Sequence, residues 1–251
     1  MSRYEDSGGW PAYVSVSERK ARAQAALTKL RQKNPGIKPV TVTGRKLAKT
    51  WWGEAWNMNL EHYADFAYRI ERGRSYVRHG AVLDLNLGRG RIKALVQGSR
   101  SKPYQVDITV DRLTPAIWDA VTEACQGAIG SLSELLEGKF PKDLGTLFAT
   151  PGHGLFPAPQ EIHMSCSCPD WATLCKHVSA ALYGVGVRLD ENPRLFFELR
   201  GVDVEDLVSQ AVAEKADRLI KKSRVKSRRV IDEDDDLGSL FGIDLQGDEP
   251  T

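Results

Sequence analysis

Long apolar runs are missing from this chain. No stretch of its 251 residues approaches the roughly 20 consecutive apolar positions that a membrane-spanning helix needs. The first residues, Met1 to Gly9, lack the apolar core of a secretory signal. Cysteine is scarce, and three of the four (Cys166, Cys168, Cys175) fall within ten residues, with Cys125 apart. A secreted disulfide scaffold spreads its cysteines along the chain, whereas clustered ones in a reducing compartment more often bind metal. The expectation is a soluble cytoplasmic protein without membrane partners. Catalytic signatures are also wanting. There is no Gly-x-x-x-x-Gly-Lys-Ser/Thr phosphate loop and no serine nucleophile elbow, and Gly88-Arg89-Gly90 is too short for a cofactor fingerprint and reads as a hairpin turn. Asp84, Asp107 and Asp111, on or near neighbouring expected strands, are the one hint of a nuclease-like carboxylate group. The chain reads as a non-enzyme.

Bases are absent from the C-terminal end. Residues 231–251 hold eight acids and no base, which leaves 35 bases against 25 acids in residues 1–230. The small net charge of +2 therefore hides a basic body and an acidic tail. A basic body suits an anionic partner, nucleic acid being the commonest.

The pattern along the chain predicts an α+β protein. Ser17 is placed to cap a helix over residues 18–33, stopped by Asn34-Pro35-Gly36. Its bases (Arg19, Lys20, Arg22, Lys29, Arg31, Lys33) read as a solvated face. A second helix is expected over residues 46–71, with Trp52, Trp56, Leu60, Tyr63 and Ala67 at helical spacing and Gly73 as its breaker. Antiparallel strands follow at 75–79, 81–87, 91–97 and 104–110, then helices at 115–129 and 131–137. The domain plan is an N-terminal α+β domain over 1–138 and a Pro/Gly-rich linker over 139–160. A small metal module over 161–190 comes next, then C-terminal helices over 191–222 and a basic-then-acidic tail over 223–251.

The module carries the sharpest signal. Cys166 and Cys168, two apart on an extended chain, face one side. Cys175 and His177 would diverge by about 200° on a regular helix, so they can chelate together only at a loop-to-helix junction. An apolar stripe at Val178, Ala181, Leu182 and Val185 supplies that helix. Three thiolates and an imidazole fill a tetrahedron around one structural Zn²⁺ and leave no open position for a substrate water. A redox disulfide between Cys166 and Cys175, or cysteines buried as small hydrophobes, are competing readings. His153 and His163 lie close enough in sequence to stand in for His177.

These residues resemble a known family. Cys-x-Cys, six residues, Cys-x-His is similar to the SWIM zinc finger. The string CSCPDWATLCKHVSAALYGVGVRLD at 166–190 resembles a bacterial group of SWIM-finger proteins, as do WWGEAW at 51–56, RGRSYVRHGAV at 72–82, VQGS at 96–99 and LFGIDL at 240–245. The resemblance implies a ββα zinc module that binds DNA or proteins, and a link to a Swi/Snf-type helicase often encoded beside the group.

Bases and aromatics interleave elsewhere. Arg72, Arg74 and Arg78 (with Tyr68 and Tyr76), Arg89 and Arg91, and Arg100 and Lys102 beside Tyr104 cluster near expected turns. Lys176 sits between two ligands. Turns gathered at one end of a sheet would make these a nucleic-acid-binding edge. Six bases between Lys221 and Arg229 add a phosphate-neutralising run. In the tail, Leu240, Phe241, Ile243 and Leu245 follow five successive acids and read as partner-docking anchors. Together these point to a non-catalytic, zinc-binding, DNA-binding accessory protein, cytoplasmic or nucleoid-associated, that works with a Swi/Snf-type translocase. The alternative is an adaptor that docks a partner through the finger and tail without touching DNA.

Overall fold

Alternation of apolar and polar residues builds the sheet. In β1 (Val82–Gly88) Leu83 and Leu85 are buried, and in β2 (Arg91–Val96) so are Ile92, Ala94 and Val96, while Arg91 and Lys93 face water. β3 (Tyr104–Val110) buries Tyr104, Val106, Ile108 and Val110 and exposes Gln105 and Thr109. β4 (Ile162–Cys166) closes the sheet, which is antiparallel in the order β1-β2-β3-β4. One face is therefore apolar and covered, the other polar and open, as antiparallel sheets allow. The computed structural model describes residues 14–62, 67–125, 134, 144–145, 148, 150 and 154–223. Residues 1–211 form one compact unit and 212–251 a second, described only up to residue 223.

The covered face holds α5 (Lys176–Glu191), which is buried along nearly its whole length because the sheet lies on one side and two helices on the other. The first of these, α2 (Trp51–His62), docks through its tryptophans. The indole N–H groups of Trp52 and Trp56 donate to the Leu189 and Leu182 carbonyls, each at 2.9 Å. Asp190 in turn accepts the backbone N–H groups of Lys49 and Thr50, satisfying donors at the start of α2. The second, α3 (Ala67–Arg78), corrects two expectations. The single helix over 46–71 is two helices, and the strand expected at 75–79 is the last turn of α3 and the residue after it. Gly73 does not break the helix. It lies inside α3, where a methyl group would overlap the Ser179 hydroxyl and lie 2.6 Å from Ser179 Cβ on α5. The glycine is there for the helix crossing, and packing overrides its weak helical propensity.

The remaining elements follow local rules. α1 (Val16–Lys33) is capped by Ser15, not Ser17: its hydroxyl accepts the Glu18 N–H at 3.2 Å. α4 (Pro115–Ala124) begins with the Thr114 cap and a proline in its first turn. α6 (Leu195–Leu199) buries Phe196 and Phe197. α7 (Val204–Ser223) buries Val204 and Leu207 within the first unit, and in the second an ion pair links Lys221 and Asp217 at 2.7 Å. The helix expected over 131–137 and most of the linker over 139–160 lie outside the described residues. At the linker's end Leu155 and Phe156 are buried, and a 3-10 turn (Pro159–Glu161) leads into β4. Across residues 154–191 the described elements are that turn, one strand and one helix. Among the described residues no helix is long and apolar enough to cross a membrane.

Candidate metal centre and its basic surroundings

β4 pairs with β3 so that Cys166 stands opposite Val106, a residue of the covered face. Cys166 thus points toward the helices, and Cys168, two residues on, keeps the same side. The chain then turns through residues 169–174. Asp170 accepts the Ala172 N–H at 3.3 Å and both its oxygens receive Arg69 Nη1 from α3, at 2.9 and 2.8 Å. That ion pair pins the turn to the body, and the Arg69 guanidinium holds the Asp170 carboxyl below the usual carboxylate range. Cys175 is the N-cap of α5 with an extended backbone, and His177 is the second helical residue. The loop-to-helix junction that lets both side chains meet is therefore present. Cys166 Sγ and Cys175 Sγ each lie 3.9 Å from His177 Nδ1, and the ligand atoms of Cys166, Cys168, Cys175 and His177 all fall within 4.8 Å of one another. These four residues form a buried Cys₃His cluster able to hold a metal ion. The four cysteines are free, and Cys125 is buried in the core and is not part of this group. His163 is paired with Asp111 at 3.1 Å, and His153 lies outside the described residues.

The electrostatics suit a cation. Crowding makes the thiols titrate apart. The hydrogen bond with Cys166 lowers Cys175 to about 3, helped by His177 and the N–H dipoles of the first turn of α5. The same hydrogen bond pushes Cys166 up, and burial pushes Cys168 up. A bound cation removes this conflict by stabilising all three thiolates together. His177, only 1% exposed, is caged by aromatics: the Tyr104 ring stacks on it at 4.4 Å and the Tyr76 ring meets it edge-on at 5.5 Å. Gly98 closes the cage, since a methyl group there would overlap the Tyr104 ring and lie 2.8 Å from His177 Nε2. Sequence reasoning missed all three cage residues as parts of the site. The signal was present in two strings, RGRSYVRHGAV and VQGS, which contain Tyr76 and Gly98.

The expected basic edge divides in two. In a meander, successive turns lie at opposite ends, so Arg89 and Arg91 sit at one end of the sheet and Arg100 and Lys102 at the other, roughly 20 Å away for a six-residue strand. Arg91 is held by both Asp107 oxygens at 3.0 and 2.8 Å, Arg89 donates to the Gly201 carbonyl, and Arg78 to the Arg45 carbonyl. Arg74 is bound to Glu61 and to the Tyr183 hydroxyl. Arg72, Arg100, Lys102 and Lys176 form no ion pair among the described residues, although Arg100 lies over the Tyr104 ring at 6.0 Å.

The unpaired bases at the metal end gain company from α1, whose charges read as mere solvation. Arg22 donates to the Ser99 carbonyl beside Gly98 at 3.3 Å. Burial raises the Tyr76 hydroxyl, and Arg72 and Arg19 stand close enough to oppose that. Burial lowers His79, and Lys20 and Arg19 lower it further. Arg19 Nε is buried and has no hydrogen-bond partner among the described residues. Arg19 and Arg72 thus stand near Tyr76 and Arg100 over Tyr104, the two tyrosines that cage His177, with Lys20 beside Arg19 near His79 and Lys102 on the same connection as Arg100.

Asp84, Asp107 and Asp111 do not assemble. Asp84 accepts the Lys38 N–H, Asp107 belongs to Arg91 and Asp111 to His163, and among the described residues the Cys₃His cluster is the one group of three or more candidate metal ligands. Of the run from Lys221 to Arg229, the residues beyond 223 lie outside the described residues, as do Leu240, Phe241, Ile243 and Leu245.

The chain is similar to the uncharacterized protein Rv2102 of Mycobacterium tuberculosis, with 37% identity over 183 residues. The match covers 72% of this chain and 65% of that protein, so the chain spans about two thirds of its relative's length. No protein-family model matches the chain, and none of the solved structures does. What these comparisons and the geometry establish is a mixed α+β protein with a bacterial relative and a buried Cys₃His cluster able to coordinate a metal.

Proposed function

We propose that this is a non-catalytic, zinc-binding, nucleic-acid-binding accessory protein, built around a SWIM-type finger and acting with a Swi/Snf-type DNA translocase. Zinc is the metal that fits the donor set. Three soft thiolates and one imidazole favour it over harder divalent ions. The 3.9 Å separations between sulfur and Nδ1 are near the roughly 3.5 Å edge of a tetrahedron with Zn–S of about 2.3 Å. With four protein ligands the ion is structural, and a buried closed site leaves no position for substrate.

The observation that carries the nucleic-acid reading is the set of unpaired cations around the imidazole cage: Arg19, Lys20, Arg72, Arg100 and Lys102. A protein that needs charge only for solubility interleaves acids with its bases. Here no ion pair among the described residues ties an acid to any of the five, and Glu18 pairs instead with the neighbouring Arg22. Keeping the half-buried Arg19 guanidinium without an anion is costly, and a phosphate would relieve that cost. The sheet's open face favours no stacked strand, because it presents Asp84, Asn86, Lys93, Gln105 and Asp107 and no aromatic ring.

The test is DNA binding by the zinc-loaded chain across a salt series. Phosphate contacts make the logarithm of affinity fall by about 0.9 per contact for each tenfold rise in salt. Five cations predict a slope of about −4.5. A chain that binds no DNA at low salt would instead be the protein adaptor, with its contacts through the finger and the tail.

A further inference from the structure

Beside the metal cluster, behind the Arg69–Asp170 pair, lies a cavity of about 380 Å³ walled by Leu60, Ile70, Ile162, Met164, Leu174 and Leu182. That volume is in the range of small-ligand sites. Ser179, 1% exposed, lines the cavity, and its hydroxyl has no hydrogen-bond partner among the described residues. That oxygen is packed against Gly73 of α3 at the helix crossing, so the wall the cavity presents to an occupant is apolar.

At the mouth stands Trp171. Trp56 is fully buried, whereas Trp171 is 83% exposed. The Arg69 guanidinium carbon lies 5.4 Å from its ring centroid, so a cation backs the indole. Two further cations stand near the Arg69–Asp170 pair. Arg72 follows Arg69 by three residues on α3, on a neighbouring part of the helix surface. Lys176, in the first turn of α5, is near enough to Asp170 to lower its carboxyl. Neither forms an ion pair among the described residues.

We propose that this cavity receives one unpaired nucleobase, with Trp171 stacking on that base or its neighbour and Arg72 and Lys176 holding the flanking phosphates. The inference rests on the nucleic-acid reading above and makes it specific. A nucleotide supplies in one unit each thing the site asks for: a flat body for the apolar cavity, a π-face for Trp171 and an anion for the cations. A peptide would have to supply these from separate residues. A base inside a duplex cannot reach the cavity, so single strands or unpaired positions are preferred.

The experiment uses the full zinc-loaded chain and fluorescence anisotropy at fixed salt. Three labelled ligands of equal phosphate count per strand are compared: a thymine oligomer, the same oligomer with abasic sites throughout, and a duplex. The base-bearing strand is expected to bind about tenfold tighter than the abasic one, the scale of a single base–aromatic stack. Trp171→Ala, at an exposed position that leaves zinc content unchanged, is expected to remove that advantage and leave abasic binding as it was. Met164→Trp, which fills the cavity from β4, is expected to do the same. Equal affinity for base-bearing and abasic strands, or a Trp171→Ala variant with full single-strand affinity, overturns the base pocket while the nucleic-acid reading survives. That outcome would leave the cavity to a protein side chain. No binding to any of the three overturns both.

Discussion

The two ends of the sheet use the same residue types to opposite effect. At the β1–β2 end every named cation has a partner. Arg91 is clasped by Asp107, Arg89 by the Gly201 carbonyl, Arg194 by Glu205 at 3.0 Å, and the buried Arg200 by Glu161 at 2.7 Å and the Asp111 carbonyl. At the β2–β3 end the arginines surround a caged imidazole, and most lack an anion. An arginine at a hairpin turn thus carries no function in itself. What decides is whether the topology brings an acid to it, and that is a long-range property. The closed end reads as a self-sufficient structural end, and the open end as the one that meets a partner.

Metal removal should widen the contrast most. All four ligands are at the open end, so a chelator or Cys175→Ser should abolish the one equivalent of zinc. Metal binding is folding free energy, on the order of 10 kcal/mol in small fingers. A fall in Tm of at least about 10 °C is expected. Hydrogen exchange should show Tyr104 to Val106 and the first turn of α5 losing protection, while the Val110 N–H, bonded to Gly90 O at 2.9 Å, keeps its own. His163→Ala at the closed end should leave zinc content at one. Equal loss of protection at both ends would break the comparison.

A smaller effect tests the helix crossing that carries the open end. In an exposed helix, Gly→Ala stabilises by about 1 kcal/mol. Gly73→Ala should instead destabilise by about 1–3 kcal/mol in urea titrations, because the new methyl overlaps Ser179. A stabilised variant would contradict the crossing as described.

The smallest effect belongs to the closed end. The Arg91 guanidinium holds the Asp107 carboxyl below its ordinary value. A depressed folded-state pKa contributes stability above the unfolded carboxylate pKa, near 4, and that contribution is lost as pH falls through the folded value. Asp107→Asn should therefore be slightly less stable than the parent chain at pH 7, the effect being small because solvent screens so exposed a pair. The gap should close as pH drops. A gap independent of pH would show that the pair is not what the substitution removes.

How much of this was legible beforehand follows the range of the interactions. The Cys₃His cluster, β1 to β3, the Pro115 helix start and the junction into α5 rest on local spacing and alternation, and the sequence pattern located the strands and that helix start to within a residue or two. Gly73 was misread because glycine's local signal is to break a helix, while its actual role depends on Ser179, more than 100 residues away. The strand expected at 75–79 failed for a related reason: Tyr76 and Val77 are buried by α5 and the metal cage, not by a sheet. The basic edge was misjudged because pairing of Arg91 with Asp107 needs β2–β3 register, and because α1 reaches Ser99 only in the folded chain. The residues of WWGEAW, RGRSYVRHGAV and VQGS turn out to ring α5 and its N-terminal cluster. Those of LFGIDL lie outside the described residues.

Charge reversal at the two ends, side by side, separates a contact surface from an effect of net charge. Arg72→Glu with Arg100→Glu at the open end, and Arg89→Glu with Arg91→Glu at the closed end, make variants of identical net charge. DNA affinity would be measured for both, zinc-loaded, at several salt concentrations. The open-end variant is expected to lose at least about tenfold in affinity and about 2 from the salt slope, with the closed-end variant close to the parent in slope. Equal losses in both variants would mean that only net charge matters, and would contradict the assignment of the open end as the contact surface.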